Sequence, residues 1–154
     1  MIGLISDTHG LLRPEAFAAL DGCELILHAG DIGTPEIVEQ LRAIAPIIAI
    51  RGNVDTGQWA FAFPETTVVQ TPSASIYMLH DVNELELDPA AAGFHIVLSG
   101  HSHKPSRTER DGVLYINPGS AGPRRFKLPV TVARLDLSQE PWQVEFVELA
   151  QVKE

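Results

Sequence analysis

The sequence predicts an α/β fold with a parallel sheet, from three observations. The chain has 154 residues, the size of one ordinary domain, and 45% of them are hydrophobic, which is enough for a sizeable core. Over residues 1–50, short apolar runs alternate with two helical segments. Strand, helix, strand, helix, strand is the order that produces parallel strands joined by right-handed crossovers. We therefore expect one domain over residues 1–154.

The first third of the chain supplies three predicted strands and two predicted helices. The strands are short apolar runs bounded by turn residues. They span residues 2–6, 24–28 and 47–50. The first helix, over 14–20, begins with Pro14 at its first position. Proline is favoured there because the N–H group that it lacks would have no hydrogen-bond partner within the helix. Thr34 is the predicted N-cap of the second helix, which runs from Pro35 to about Arg42.

The rest of the chain predicts further strands, several of them antiparallel, and one short helix. Asp111 and Gly112 form a hairpin turn signal between two of the strands. Residues 84–92 are predicted as a short helix that ends at Gly93. The predicted strands span residues 66–70, 75–79, 94–98, 107–109, 113–116, 130–137 and 143–149.

Side chains of the types that bind metals follow five predicted strands at their carboxyl ends. Ligands bind at that edge of an open α/β sheet, so these side chains are expected to converge. The set contains two aspartates, one asparagine and four histidines. They are Asp7, His9, Asp31, Asn53, His80, His101 and His103.

This ligand set predicts a two-metal phosphoesterase. Mixed oxygen and imidazole ligands suit Mn, Fe, Co, Ni or Zn rather than Ca. Seven ligands exceed the four of a tetrahedral site, so two ions that share Asp31 as a bridge fit better. Two ions about 3.5–4 Å apart lower the pKa of a bridging water and clamp a phosphoryl oxygen. The resulting hydroxide can attack phosphorus in line.

Each of these residues alone also has a structural explanation. An Asp after a strand is commonly a turn residue or an N-cap, and Gly52 with Asn53 is an ordinary turn signal. Together they favour the metal site, because turn formation does not account for so many histidines. His28 is predicted to support the site or to pack, and His95 is predicted to be structural.

The order of the motifs resembles the calcineurin-like metallophosphoesterase superfamily, in its small bacterial and archaeal phosphodiesterase branch. The motifs are Asp-x-His at 7–9, Gly-Asp at 30–31, Gly-Asn-x-Asp at 52–55, His80 after a strand, and Gly-His-x-His at 100–103. The resemblance implies a four-layer α-β-β-α sandwich with two central mixed sheets and the metal site at the C-terminal ends of the strands. It implies manganese, with one ion on Asp7, His9, Asp31 and His103 and another on Asp31, Asn53, His80 and His101.

Two positions depart from the pattern of the family. Asp81 follows His80 where such proteins usually have glycine, and aspartate is among the few residues that tolerate a left-handed backbone. Val54 stands where larger members have a histidine proposed as the leaving-group acid. Asp55 is the remaining candidate for that acid, with His9 as the next.

The charge distribution limits the partners of the protein. A net charge of −9 disfavours bulk binding of nucleic acid or of anionic membranes. Six of the 11 basic residues nevertheless lie between Lys104 and Lys127, a segment that could select a small phosphate-ester substrate. Within it, Ser120 follows a turn that can form an anion-binding nest, and Arg124 is a candidate phosphate contact. Asn53 is the third predicted substrate-binding residue.

Other features exclude some classes of protein and leave others open. The single cysteine, Cys23, excludes an internal disulfide and a cysteine-based zinc site. The first residues show no export signal and no apolar run is long enough to span a membrane, so a cytoplasmic protein is expected. The sequence leaves the oligomeric state open, including a homo-oligomer. The alternatives are a phosphomonoesterase or protein phosphatase, and a non-catalytic protein-binding scaffold, because the retromer scaffold subunit resembles this family. The complete ligand set favours the enzyme.

Overall fold

The computed structural model describes residues 1–125 and 127–149, and within them the chain forms ten strands and two α-helices. The strands are β1 (Ile2–Ile5), β2 (Leu25–His28), β3 (Ile47–Ala49), β4 (Thr66–Gln70), β5 (Ser75–Leu79), β6 (Ile96–Leu98), β7 (Ser106–Arg110), β8 (Val113–Asn117), β9 (Thr131–Asp136) and β10 (Gln143–Glu148). The helices are α1 (Pro14–Ala19) and α2 (Pro35–Arg42), and two 3₁₀ turns cover Gln58–Ala62 and Val82–Glu84.

The strands form two mixed sheets of five strands each. The first has the order β10-β9-β1-β2-β3, with β1, β2 and β3 parallel and β9 antiparallel to β1. The second has the order β4-β5-β6-β8-β7, with β5, β6 and β8 parallel. The predicted parallel start and the predicted final hairpin are both confirmed, as is the turn at Asp111 and Gly112, which joins β7 to β8.

Apolar side chains from both sheets fill the space between them. Leu4 and Leu27 of the first sheet belong to one buried cluster with Ile76 and Leu98 of the second, and each is at most 1% exposed. Burying one such side chain contributes about 1.5–3 kcal/mol. This shared core fixes the position of one sheet against the other, and therefore the position of the loops at their common edge.

The two α-helices cover the outer face of the first sheet. Ile37 and Leu41 of α2 are buried there in a second apolar cluster. Pro14 and Pro35 stand at the starts of the helices as predicted. Thr34 occupies the N-cap position with an extended backbone, although its side chain makes no capping hydrogen bond. No helix in the described part of the chain is long and apolar enough to cross a membrane.

The predicted helix over 84–92 is wrong. Only Val82–Glu84 forms a 3₁₀ turn there, and the following residues continue as turns. Pro89 disfavours the helical conformation of the residue before it. Asp88 Oδ1 accepts the N–H groups of Ala90 at 3.1 Å and Ala91 at 3.4 Å, as an N-cap does, so a new turn begins at Asp88 and interrupts a helix from residue 84. The predicted sandwich of two mixed sheets is confirmed. The two α-helices lie on the outer face of the first sheet, and the turns after residue 81 follow β5 of the second sheet.

Candidate metal centre

The candidate ligands lie on loops that leave the carboxyl ends of five strands. Asp7, Asp31, Asn53, His80 and His101 follow β1, β2, β3, β5 and β6, respectively. Backbone hydrogen bonds join the loops directly, from Asp7 N to Gly30 O at 3.0 Å and from Gly100 N to His80 O at 2.9 Å. These loops therefore meet at the carboxyl-terminal edge of the sheets, where the sequence predicted the site.

Glycines permit the close approach of these loops. A Cβ atom at Gly52 would lie 2.1 Å from Asp31 Oδ1, and one at Gly100 would lie 2.0 Å from Ser6 Oγ and 2.6 Å from Asp7 Oδ2. Real side chains do not make such contacts, so any other residue would displace a candidate ligand.

The backbone at five of the candidate ligands has a positive φ, which is uncommon outside glycine. The φ angles are 55° at Asp7, 46° at His9, 54° at Asp31, 71° at His101 and 62° at His103. Left-handed conformations cost an L-residue roughly 1–2 kcal/mol each, and such strain concentrates at functional sites. The loops therefore hold these side chains in a geometry that the isolated backbone does not prefer.

The side chains form two adjacent clusters. Asp7, His9 and His103 make one and Asp31, His80 and His101 the other, and within each the ligand atoms lie within 4.8 Å of one another. Asp31 Oδ2 lies 3.1 Å from His80 Nε2 in its own cluster and 3.7 Å from His9 Nε2 in the other. Asp31 therefore lies within reach of both clusters, and Asp7 does too, since its Oδ1 lies 3.7 Å from His80 Nε2.

The chemistry of the centre fits divalent cations. Four of its atoms are buried without a hydrogen-bond partner. They are Asp7 Oδ1, His9 Nε2, His80 Nε2 and His103 Nδ1. A buried polar atom left unpaired costs about 1–3 kcal/mol. Because lone pairs on carboxylate and imidazole are what a divalent cation binds, metal ions would satisfy Asp7 Oδ1, His9 Nε2 and His80 Nε2, which face one another.

Hydrogen bonds from outside the centre orient the ligands. Asp7 Oδ2 accepts the Ser6 hydroxyl at 2.7 Å and the His101 N–H at 3.0 Å, which leaves Oδ1 facing the histidines. Asp31 Oδ1 accepts the Val54 N–H at 3.1 Å, which leaves Oδ2. His80 Nδ1 donates to the Ala29 carbonyl at 2.7 Å, so its Nε2 is the free ligand atom.

His28 supports the centre as a neutral imidazole, in agreement with its predicted supporting role. The Thr8 hydroxyl donates to the Ile32 carbonyl at 2.8 Å, so it must accept the Nε2–H of His28 at 3.0 Å. The Gly30 N–H donates to Nδ1 at 3.1 Å, which fixes the tautomer. Complete burial lowers the pKa of His28 to about 4. The ring thereby ties the loop of the first cluster to the loop of Asp31.

In the metal-free chain, the negative charges of the buried carboxylates are balanced by the nearby histidine rings. Burial alone would raise the pKa of Asp7, but the rings of His103 and His9, whose Nε2 atoms lie 3.5 and 3.7 Å from Oδ1, hold it well below its usual range. Burial alone would lower the pKa of His80, but Asp31 and Asp7 raise it to about 9. The proton on His80 therefore occupies the electrostatic role that divalent cations would take over.

Metal binding is expected to release a proton, and metal affinity is expected to rise with pH up to about 9. Since the pKa of His80 is about 9 in the folded metal-free chain and 6.5 is its ordinary value, the ring is charged near neutral pH and must lose its proton to bind a cation. The same proton stabilises the metal-free fold fully below pH 6.5, and that stability is lost as pH rises through about 9.

Calorimetric titration with Mn²⁺ in buffers of different ionisation enthalpy gives the number of protons released. We expect about one from His80 near neutral pH, and correspondingly fewer in His80→Gln. Equal proton release by the wild type and the variant would contradict the assignment.

Of the other predicted site residues, Asn53 is exposed and lines a cleft of about 590 Å³ together with His80 and His101. Ser120 is buried, and its hydroxyl donates to the Asp7 carbonyl at 3.1 Å, which is a supporting contact. Arg124 is exposed. It follows Gly122 by two residues, and Gly122 packs so closely on the Thr8 carbonyl that a Cβ atom there would lie 2.3 Å from its oxygen. Substrate contacts by Ser120 and Arg124 stay predictions.

Asp55 makes contacts that the sequence did not indicate. Its buried carboxylate accepts the N–H groups of Ile32 at 3.0 Å, Gly33 at 2.9 Å and Gly52 at 2.8 Å. It therefore ties the loop of Asp31 to the loop of Asn53. This geometry favours a positioning role for Asp55 over the predicted role of leaving-group acid.

Asp81 keeps the turn after His80 by a different route from the expected one. Its backbone is extended, with φ −115° and ψ 113°, so no left-handed conformation is needed. Its Oδ1 accepts the N–H of Asn83 at 3.0 Å and starts the 3₁₀ turn, while Oδ2 lies 3.7 Å from His101 Nε2. The extra carboxylate thus lies at the border between the centre and the cleft.

A sandwich of two mixed sheets with aspartates and histidines clustered at its strand ends defines the metallophosphoesterase class of fold and site. The chain belongs to the calcineurin-like phosphoesterase superfamily, whose domain profile matches residues 1–140. The family resemblance seen in the sequence motifs is therefore confirmed. Its divalent-metal chemistry agrees with the two clusters of candidate ligands.

Relatives extend over most of the chain. A probable metallophosphoesterase from Methanothermobacter thermautotrophicus is 34% identical over 149 residues, covering 88% of this chain and 86% of that protein. A phosphodiesterase from Methanocaldococcus jannaschii is 26% identical, covering 92% of this chain and 96% of that protein. Vps29 from Chaetomium thermophilum has a TM-score of 0.77 at 19% identity, covering 96% of this chain and 95% of that one, which shows a shared fold.

Proposed function

We propose that the protein is a two-metal phosphodiesterase that hydrolyses a small phosphate ester. The observation that carries the proposal is the pair of adjacent clusters with Asp31 between them and four buried atoms left without partners. When bound, two divalent ions supply a water of lowered pKa as nucleophile and withdraw charge from the phosphoryl oxygens. Manganese is the proposed metal, with zinc, iron, nickel and cobalt as alternatives.

The residues of the chain divide the work of holding these ions. Asp7, His9, Asp31 and His103 would hold one ion, and Asp31, Asn53, His80 and His101 the other. Asn53, at the mouth of the cleft, would also meet the phosphoryl group. A diester is favoured over a monoester because the relative from Methanocaldococcus jannaschii is named a phosphodiesterase.

The leaving group is expected to control the rate, because within residues 1–125 and 127–149 no strong acid is identified that could protonate it. Val54 cannot donate a proton, and three N–H groups already engage the Asp55 carboxylate. A general acid typically contributes about 10²–10⁴-fold, so aryl diesters should react much faster than alkyl diesters. The measurement is log(kcat/KM) against leaving-group pKa across such a series, with metal-free protein as the control.

A steep negative slope would support this account. A flat slope with chemistry rate-limiting would mean that another residue delivers the proton. If the flat slope steepens in Asp55→Asn, Asp55 is that residue; if it does not, His9 is the next candidate. Absence of hydrolysis of any phosphate ester, with the metal sites saturated, would instead favour the non-catalytic scaffold, the alternative to which the shared fold of Vps29 also points.

Arg124 is expected to contact the substrate phosphate. The segment of Gly122 packs against the backbone of Asp7 and Thr8, and Arg124 and Arg125 follow it by two and three residues. Losing a charge-assisted contact of about 1.5–3 kcal/mol would lower kcat/KM roughly 10- to 100-fold in Arg124→Ala. Arg110→Ala is the matched control, since Arg110 lies on the edge strand β7 with its guanidinium over Tyr115. If Arg124→Ala and Arg125→Ala both leave kcat/KM unchanged, the phosphate assignment fails.

A further inference from the structure

The cleft beside the second cluster is built to receive part of the substrate. It has a volume of about 590 Å³, and His80 and His101 form one of its walls. His80 is only 7% exposed, and its Nε2 has no hydrogen-bond partner. The cleft is therefore continuous with the centre, and an ester whose phosphoryl group reaches the centre can place one of its arms in the cleft.

The charge of this cleft is negative although the proposed substrate is an anion. Outside the candidate metal ligands, four carboxylate side chains and one guanidinium group are found among its described lining residues. The carboxylates are Glu65, Asp81, Glu84 and Glu86. An anionic arm would be repelled here, whereas a cationic arm would be attracted.

The single guanidinium does not neutralise the cleft. Arg51 pairs with Glu65 at 3.1 Å, donates to the Phe63 carbonyl and lies 5.4 Å from the centre of the Phe61 ring. These contacts use its donors within the protein. Glu84 and Glu86 have no ion-pair partner within residues 1–125 and 127–149, so the negative charge of the cleft stays available to a ligand.

An aromatic ring completes the lining. Tyr77 lines the cleft and is held by stacking on Phe94, with 5.1 Å between the ring centres. Carboxylates beside an aromatic ring are the combination that recognises an amine or a quaternary ammonium group, through charge attraction and cation–π contact.

We infer that the cleft selects a phosphate ester whose arm carries a positive charge, an amino alcohol or a quaternary ammonium alcohol. This inference rests on the proposed function, since it assumes that the phosphoryl group lies at the metal centre. It names the substrate class that the centre alone does not specify.

Binding of two isosteric monoesters tests the inference. Phosphocholine and 3,3-dimethylbutyl phosphate differ by a quaternary nitrogen in place of a carbon, so their arms have the same shape and different charge. Calorimetric titration of the Mn²⁺-loaded protein should give roughly 5- to 30-fold tighter binding of phosphocholine at low salt, because each partly exposed charge contact contributes a factor of about 1.5–5. The preference should shrink as salt rises.

Variants that remove carboxylate charges from the cleft show whether those charges cause the preference for phosphocholine. The double variant Glu84→Gln with Glu86→Gln should bring the preference for phosphocholine down to about threefold or less. Glu145→Gln removes an exposed carboxylate from β10, at the far edge of the other sheet, and should keep the full preference. Equal binding of the two ligands by the wild type, tighter binding of 3,3-dimethylbutyl phosphate, or no binding of either would overturn the inference.

Hydrolysis of bis(p-nitrophenyl) phosphate separates the two proposals. Both arms of this diester are uncharged, so its metal-dependent cleavage reports on the phosphodiesterase and not on the charge of the cleft. Cleavage without a preference for phosphocholine would refute the inference alone. No cleavage with a clear preference would refute the enzyme and leave the cation-binding cleft.

Discussion

Replacing Asp31 by alanine is expected to remove both metal ions and to lower kcat/KM by more than about 100-fold. Altering a residue that only supports a metal ligand typically costs about 10- to 100-fold, and the loss of a ligand should cost more. Its Oδ2 lies 3.1 Å from His80 Nε2 and 3.7 Å from His9 Nε2, so it can reach both clusters, as Asp7 Oδ1 also can. His103→Ala should weaken chiefly one ion, because His103 belongs to the cluster of Asp7 and His9.

Metal content after dialysis, together with anomalous scattering from crystals, measures this effect directly. The wild type should hold two ions per chain and His103→Ala about one at limiting metal concentration. His95→Gln is the control histidine, since its Nδ1 accepts the Ser75 N–H at 2.9 Å and the ring also lies against Trp142. A single ion in the wild type, or full retention of one ion in Asp31→Ala, would rule out the shared ligand.

Asp55→Ala is expected to destabilise the protein by about 3–5 kcal/mol, because three backbone N–H groups lose their acceptor at a buried position. That is a large part of the roughly 5–15 kcal/mol that stabilises an ordinary domain. Metal affinity should fall about 10- to 100-fold as well, since the loops of Asp31 and Asn53 lose their connection.

Urea unfolding of the metal-free proteins separates the loss of stability from the loss of metal. Asp55→Asn should be intermediate, since an amide keeps one acceptor oxygen but presents an NH₂ group to a backbone donor. Asp136→Asn, at the end of β9 where Asp136 accepts from Ser138, is the matched control and should change the urea midpoint far less than Asp55→Asn. A stable Asp55→Ala protein with normal metal content would return Asp55 to the list of candidate acids.

Local patterns explain why much of the fold could be predicted. Residues 2–5 and 25–28 are apolar runs closed by turn residues, and Pro14 and Pro35 mark the starts of the helices. The error at 84–92 has a local cause too, because Asp88 and Pro89 interrupt a segment whose composition otherwise suits a helix.

The ligand types were visible in the sequence because each stands beside a glycine or at the end of an apolar run. Their supporting contacts were not visible, since these join residues far apart in the chain. The bond from His80 to the Ala29 carbonyl spans 51 positions, and those of Asp55 reach back 22 and 23 positions. No periodicity or spacing reports such pairs, so only the packing of the two sheets could reveal them.

The positive φ angles of five candidate ligands also bear on how this protein could evolve. Selection for metal binding would keep aspartate or histidine where the backbone prefers glycine. A lineage released from that selection would gain stability by substituting glycine at His9, His101 and His103, whereas alanine would lose the ligand and keep the strain. At Asp7 and Asp31, glycine would leave the donors to their carboxylates unpaired. Laboratory evolution for heat resistance in a chelator should therefore recover glycine early at the three histidine positions. In descendants, glycine at these positions would be the expected mark of a lineage that had given up its metals.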